Sequence, residues 1–279
     1  MKKFSGVITA LVTPFKNQKV DYSSLESLVQ QQLASGINGF VINGTTAESP
    51  TVTPAERREI FSFVKQRVPS NFPLILGTGS NSTQQTIEDS KEAEKMGADA
   101  VLVVVPYYNK PPQRGLLEHF KSVASAINIP VILYNVPSRT ITSLEIETIK
   151  RLSEHPNILG IKEASGNIEF AKQIRSLCGE SFLLLSGDDG TYDEFIAAGG
   201  DGVISVASHI IPREMKEARA KTKKELIDAL FSEANPIPVK KALQLMNVIA
   251  SDECRLPLVS FAAEKTEDFK AVLKKEGLI

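Results

Sequence analysis

Lys162 is the residue whose type and setting suggest a chemistry. It continues the apolar run Leu159-Gly160-Ile161, which reads as a buried strand, and no other lysine falls inside such a run. An ammonium directed into a protein interior is costly to desolvate, which favours the neutral amine. A neutral amine can attack a ketone and form a Schiff base. The same residue could instead be a structural lysine at a rim, paired with Glu163 or a neighbouring carboxylate. Three of the five tyrosines also follow apolar runs: Tyr107 and Tyr108 after Ala100–Val104, and Tyr134 after Val131–Leu133. Phenols can pass protons and hydrogen-bond an oxyanion, although any one of them could equally be packing.

Two further motifs suit carboxylates. Asn43-Gly44-Thr45-Thr46-Ala47-Glu48 offers successive backbone N–H groups and two hydroxyls, either as an anion nest or as an ordinary Thr-rich turn. Arg139, beyond Tyr134-Asn135-Val136-Pro137-Ser138, could clamp a second carboxylate in bidentate fashion or form a surface salt bridge. Gly77-Thr78-Gly79-Ser80-Asn81 lacks the lysine of a P-loop and reads as a turn. Asp188-Asp189 and the scattered His119, His155 and His209 supply no spaced ligand set, so no metal is expected. Lys221-Thr222-Lys223-Lys224 reads as a solvated helix junction.

Residues at the ends of strands converge only if those strands are held side by side. Eight short apolar runs predict them, near Val7–Leu11, Phe40–Ile42, Leu74–Leu76, Ala100–Val104, Val131–Leu133, Leu159–Ile161, Phe182–Leu185 and Val203–Ser205. Segments of helical period lie between them, at Tyr22–Ala34, Ala55–Val68, Thr83–Met96, Gln113–Ala126, Leu144–Ser153, Ile168–Leu177 and Thr191–Ala198. Gly36, Gly97 and Gly199 each end a helix and are followed, after two intervening residues, by Gly39-Phe40-Val41, Ala100-Val101-Leu102 and Gly202-Val203-Ile204, which points to left-handed caps before buried strands. The alternation closes most simply into an α/β fold, a (β/α)8 barrel, whose active site sits at the strands' C-terminal ends. An open doubly wound sheet is the alternative, but the first strand has no GxGxxG after it. Beyond Pro212 the pattern is helical, at Arg213–Lys221, Lys223–Glu233, Val239–Ile249 and Ala262–Lys275. The expected division is a barrel over residues 1–221 and a small C-terminal helical domain over 222–279.

Composition narrows the partners. The 279 residues carry 32 Lys+Arg against 33 Asp+Glu, a formal net charge of -1. That leaves no electrostatic means of holding a phosphate backbone or an anionic bilayer, so a small-molecule substrate is expected, with no nucleic acid and no membrane. Cys178 and Cys254 are far apart and form no CxxC pair, which points to a reduced, cytoplasmic setting. The start Met1-Lys2-Lys3-Phe4-Ser5-Gly6 shows no apolar leader, and no run approaches the roughly 18 apolar residues of a membrane span.

Gly44-Thr45-Thr46-x-Glu48, Pro106-Tyr107-Tyr108-Asn109, Tyr134-Asn135-Val136-Pro137-Ser138-Arg139-Thr140, Gly160-Ile161-Lys162-Glu163-Ala164 and Ser186-Gly187-Asp188-Asp189 together resemble the dihydrodipicolinate synthase family. That family belongs to the N-acetylneuraminate lyase superfamily of class I aldolases. The resemblance runs from about Gly6 to the C-terminus, and Asn235-Pro236-Ile237-Pro238-Val239-Lys240 also fits it. It implies condensation of pyruvate with L-aspartate 4-semialdehyde on the diaminopimelate route to lysine, with no cofactor beyond an imine on Lys162. Tyr134 would then move protons, and Thr46 would link it to Tyr108 in a relay. Thr45 and Thr46 would hold the pyruvate carboxylate, Gly187 and Ile204 would line the pyruvate pocket, and Arg139 would receive the semialdehyde carboxylate. Tyr108 would reach into a neighbouring subunit, which implies a homodimer or homotetramer.

The chain departs from the family pattern in three places. Ala47 stands where Gly is usual, and the segment between Met215 and Asn235 is shorter by about one average helix, on the order of 12 residues. In lysine-inhibited relatives the effector lies beside positions matching Ser49, Asn81 and Tyr107. The Glu that grips its ammonium is Gln85 here, and two His positions are Pro54 and Arg57, so weak or absent inhibition is expected. Two other functions remain as alternatives. A sugar-acid lyase acting on a substrate such as N-acetylneuraminate would share Lys162 and Tyr134 without needing Arg139, and a non-catalytic barrel would form no imine.

Overall fold

A computed structural model describes residues 2–279; Met1, the first residue of the expected barrel range, lies outside the described residues. Eight parallel strands close into a barrel: β1 (Gly6–Ala10), β2 (Gly39–Ile42), β3 (Leu74–Gly77), β4 (Ala100–Val104), β5 (Val131–Asn135), β6 (Ile158–Glu163), β7 (Leu183–Ser186) and β8 (Gly202–Ser205). β1 pairs with β2 on one side and β8 on the other, so the sheet has no free edge. The strands are nearly continuous apolar sequence because both faces are covered. Ile8, Val41, Ile75, Leu102, Ile132 and Leu185 face the lumen, while Val7, Phe40, Leu76, Val103, Leu133 and Leu184 face the helices. The (β/α)8 architecture expected from the alternation is the one observed.

The helices that follow the strands are α1 (Tyr22–Ala34), α2 (Pro54–Lys65), α3 (Thr83–Met96), α4 (Gln113–Ser125), α5 (Pro137–Thr140), α6 (Ile146–Ser153), α7 (Ile168–Cys178), α8 (Tyr192–Ala197) and α9 (Pro212–Lys216). Local sequence explains their ends. Thr53 and Glu56 form a capping box around Pro54 at the start of α2. Gly36, Gly97 and Gly199 all have positive φ, as the repeat predicted. Two features were not foreseen: the four-residue α5 and a hairpin of Phe15–Lys16 with Lys19–Val20.

The expected helix over Arg213–Lys221 is broken. α9 stops at Lys216, the chain turns through a left-handed Ala218 (φ 48°), and a 3-10 turn covers Ala220–Lys223. α10 (Lys224–Leu230), α11 (Ile237–Leu245) and α12 (Thr266–Lys275) follow. They dock on the barrel: Leu226, Leu230, Val239, Leu243, Phe269 and Leu273 belong to the apolar cluster that also contains the helix-facing strand residues. Among the described residues no helix is long and apolar enough to cross a membrane.

Candidate active site

The C-terminal ends of the strands open into a cavity of about 560 Å³. Seven of the eight expected site residues line it: Lys162, Tyr134, Thr45, Thr46, Arg139, Gly187 and Ile204. Tyr108 does not. Its side chain is 88% exposed on a left-handed backbone (φ 75°), whereas its neighbour Tyr107 lines the cavity. Of the three tyrosines that follow apolar runs, Tyr134 thus lies beside the lysine and Tyr107 at the cavity wall.

Strand register places the central pair. Tyr134 on β5 is the register partner of Lys162 on β6, and in a parallel ladder such partners point to the same face. Both are directed inward and buried, with Lys162 Nζ 4.2 Å from the centroid of the Tyr134 ring. Among the described residues no carboxylate pairs with Lys162. Glu163 cannot, because it is one residue further along the strand and faces outward. Its carboxylate accepts from Asn135 Nδ2 (2.7 Å) and Ser165 N (2.6 Å), and burial raises its pKa above the usual carboxylate range. The structural-lysine alternative, which relied on such a partner, finds none here.

Gly187 makes room for the amine. A β-carbon at this position would stand 2.8 Å from Lys162 Cε and 2.5 Å from Ala164 Cβ, closer than packed atoms approach. Ile204 on β8 supplies an apolar wall from the luminal cluster that also holds Tyr134.

The Thr-rich segment folds as a 3-10 turn over Thr45–Ala47. Main-chain bonding begins at Ala47 N, which donates to Gly44 O, and Glu48 N, which donates to Thr45 O. The N–H groups of Thr45 and Thr46 are thus left without a main-chain acceptor, next to two hydroxyls, as an anion nest requires. Ala47 fits without strain, because the left-handed residue of the turn is Glu48 (φ 56°) rather than position 47.

Arg139 sits on α5 and also lines the cavity, exposed and with no ion pair among the described residues. The loop carrying it is anchored by Asn135, whose Oδ1 accepts from Leu144 N at 3.0 Å. Asp188 and Asp189 act as local caps: Asp188 Oδ1 accepts from Gly190 N (2.7 Å), and Asp189 Oδ2 accepts from Val206 N (2.9 Å) and Ala207 N (2.7 Å).

Sequence reasoning gave no role to Asn235, although its motif was noted. Its Nδ2 donates to Thr46 Oγ1 at 2.9 Å, and the residue lines the cavity together with Ile227, Asp228 and Phe231. The C-terminal segment therefore supplies part of the cavity wall, a long-range contact with no periodic signal.

Comparison with known proteins is consistent with this geometry. The model of the dihydrodipicolinate synthetase family matches residues 3–276. A 4-hydroxy-tetrahydrodipicolinate synthase from Bdellovibrio bacteriovorus is 58% identical over 293 aligned positions, covering 100% of both chains. Among solved structures, dihydrodipicolinate synthase from Thermotoga maritima superposes with a TM-score of 0.96 at 42% identity, covering 99% of this chain and 100% of that one. The chloride-inhibited enzyme from Acinetobacter baumannii, complexed with pyruvate, gives 0.95 at 42% identity over 99% of each chain.

Proposed function

The chain belongs to the dihydrodipicolinate synthetase family, and from that premise we infer that it catalyses the 4-hydroxy-tetrahydrodipicolinate synthase reaction, joining pyruvate to L-aspartate 4-semialdehyde on the diaminopimelate route to lysine. The observation that carries the mechanism is the inward, carboxylate-free Lys162 amine beside Tyr134 in a cavity lined also by the Thr45-Thr46 anion nest and by Arg139.

The pyruvate carboxylate is received by the N–H groups and hydroxyls of Thr45 and Thr46. Lys162 Nζ adds to the ketone carbon, and loss of water leaves a protonated imine. This cation acts as an electron sink, so a methyl proton can be removed to give an enamine. Tyr134 is the nearest phenol to the nitrogen and moves protons in these steps. The enamine carbon attacks the aldehyde carbon of the semialdehyde, whose carboxylate is held by Arg139, and the aldehyde oxygen takes a proton to become a hydroxyl. The amino group of the added unit then displaces Lys162 from the imine carbon, which closes the ring and restores the free lysine.

The exposed, backbone-strained Tyr108 supports a homo-oligomer of at least two protomers in which this phenol enters a neighbouring site. Thr46 linking Tyr134 to that phenol remains part of this proposal. A cytoplasmic location fits the metabolic role and the two free cysteines. A sugar-acid lyase would leave Arg139 in the cavity without a task.

Borohydride reduction with pyruvate, followed by peptide mass analysis, tests the proposal. A pyruvyl adduct on Lys162 is expected; an unmodified Lys162 would remove the mechanism.

A further inference from the structure

Behind the Thr45-Thr46 turn lies an ion pair that does not line the cavity. Glu48 ends the turn in a left-handed conformation (φ 56°), which costs free energy for an L residue and persists only where the surroundings fix it. Its side chain is fully buried, as is that of Lys240 on α11, and Lys240 Nζ donates to Glu48 Oε1. The second carboxylate oxygen accepts from Arg255 N at 2.8 Å. Lys240 Nζ also donates to Glu253 O (2.8 Å) and lies 4.4 Å from the centroid of the Phe15 ring. On the backbone side, Thr51 N (2.9 Å) and Thr51 Oγ1 (3.0 Å) both donate to Glu48 O.

A buried pair of this kind adds little net stability over apolar side chains of the same volume, because desolvation offsets the attraction. What it supplies is a fixed geometry. We propose that Glu48 and Lys240 are positioning residues: their ion pair holds the left-handed backbone at position 48 and so aims the Thr45 and Thr46 donors at the substrate's carboxylate. Substrate affinity at one wall of the barrel is thereby set by a C-terminal helix. Arg139, carried on α5 after β5, is not bonded to either residue and serves the other substrate independently. The proposal rests on the assignment of this turn to pyruvate.

Two variants test it. Glu48→Asp keeps the charges but shortens the reach. Glu48→Gln combined with Lys240→Met removes both charges, so neither is left buried alone. Each is checked for folding by circular dichroism, then assayed for the KM of both substrates and for the pyruvate concentration giving half-maximal borohydride trapping at Lys162. Misaimed donors should raise the pyruvate KM about fivefold in Glu48→Asp and about tenfold or more in the double variant, with the trapping midpoint shifting in parallel. The semialdehyde KM should stay within about twofold, since uniform loosening is not what the pair prevents. Folded variants with an unchanged pyruvate midpoint, or with both KM values rising together, would overturn the positioning role. Should the double variant not fold, Glu48→Asp alone decides. Wild-type protein that gives no adduct at all would instead overturn the pyruvate assignment beneath it, so the two failures are distinguishable.

Discussion

Gly187 and Lys162 are packed so closely that a single added β-carbon at position 187 would stand 2.8 Å from Lys162 Cε. The backbone of Gly187 cannot retreat easily, since its N–H donates to Glu163 O at 2.8 Å. In Gly187→Ala the lysine side chain must therefore swing aside. A misplacement of about 1 Å at a reacting atom costs about 100-fold in rate, and that is the drop expected in kcat/KM. Trapping with borohydride and pyruvate should fall in step, and full trapping in a folded Gly187→Ala protein would sink the steric argument.

Arg139→Ala should separate the two substrates. The guanidinium has no partner among the described residues, so truncation leaves no orphaned carboxylate and little change in stability. Loss of a charge-assisted bond to a substrate carboxylate is worth about 2 kcal/mol, or roughly 30-fold in the semialdehyde KM. Imine formation on Lys162 should persist. Loss of trapping together with aldehyde use would mean that Arg139 serves pyruvate instead.

The barrel was legible because each strand is covered on both faces and so reads as an uninterrupted apolar run, as Ala100–Val104 does. α1 and α3 begin and end where their periodicity and caps place them. Elements too short to show a period were not legible. α5 spans four residues, and the hairpin turn at Asn17 (φ 52°) and Gln18 (φ 62°) lacks the glycine that signals such a turn. Strand alternation could have excluded Glu163 as the partner of Lys162 from sequence alone, because consecutive residues face opposite sides. The outward turn of Tyr108 and the approach of Asn235 to Thr46 depend on loop direction and a separation of 189 residues, neither of which leaves a local trace.

Lysine should inhibit this enzyme weakly or not at all. The position that would offer a His in inhibited relatives is Arg57, almost fully buried, whose Nη2 donates to Asp89 Oδ1 at 2.7 Å and also pairs with Glu92. Gln85 Nε2 donates to the same Asp89 oxygen at 3.2 Å. The nearby acidic groups are thus already occupied by the protein's own cation, and Gln85 cannot grip an ammonium as a carboxylate would. Steady-state rates at sub-millimolar lysine should stay within about twofold of the uninhibited rate. Strong inhibition in that range would show that Arg57 gives way to the effector.

Acid should destabilise the fold through His119 before it protonates the native state there. The ring is buried between α3 and α4, bonded through Nδ1 to Thr83 Oγ1 (2.9 Å), and its Nε2 has no partner. Burial lowers its pKa from 6.5 to about 4. Above pH 6.5 neither folded nor unfolded chain carries this proton, so the contribution is fully present. Between pH 6.5 and about 4 only the unfolded chain binds it, and stability is lost as pH falls. From pH 7 to pH 5 the loss is about 2 kcal/mol from this residue. His209, also lowered to about 4 by burial, acts in the same direction, while the raised pKa values of Glu163 and Asp189 act in the opposite one. These terms are shared by wild type and His119→Gln, so urea unfolding of both proteins at pH 7 and pH 5 isolates His119. The variant should lose about 2 kcal/mol less than wild type between the two pH values. Equal losses would mean that the ring takes up its proton in the folded state without penalty.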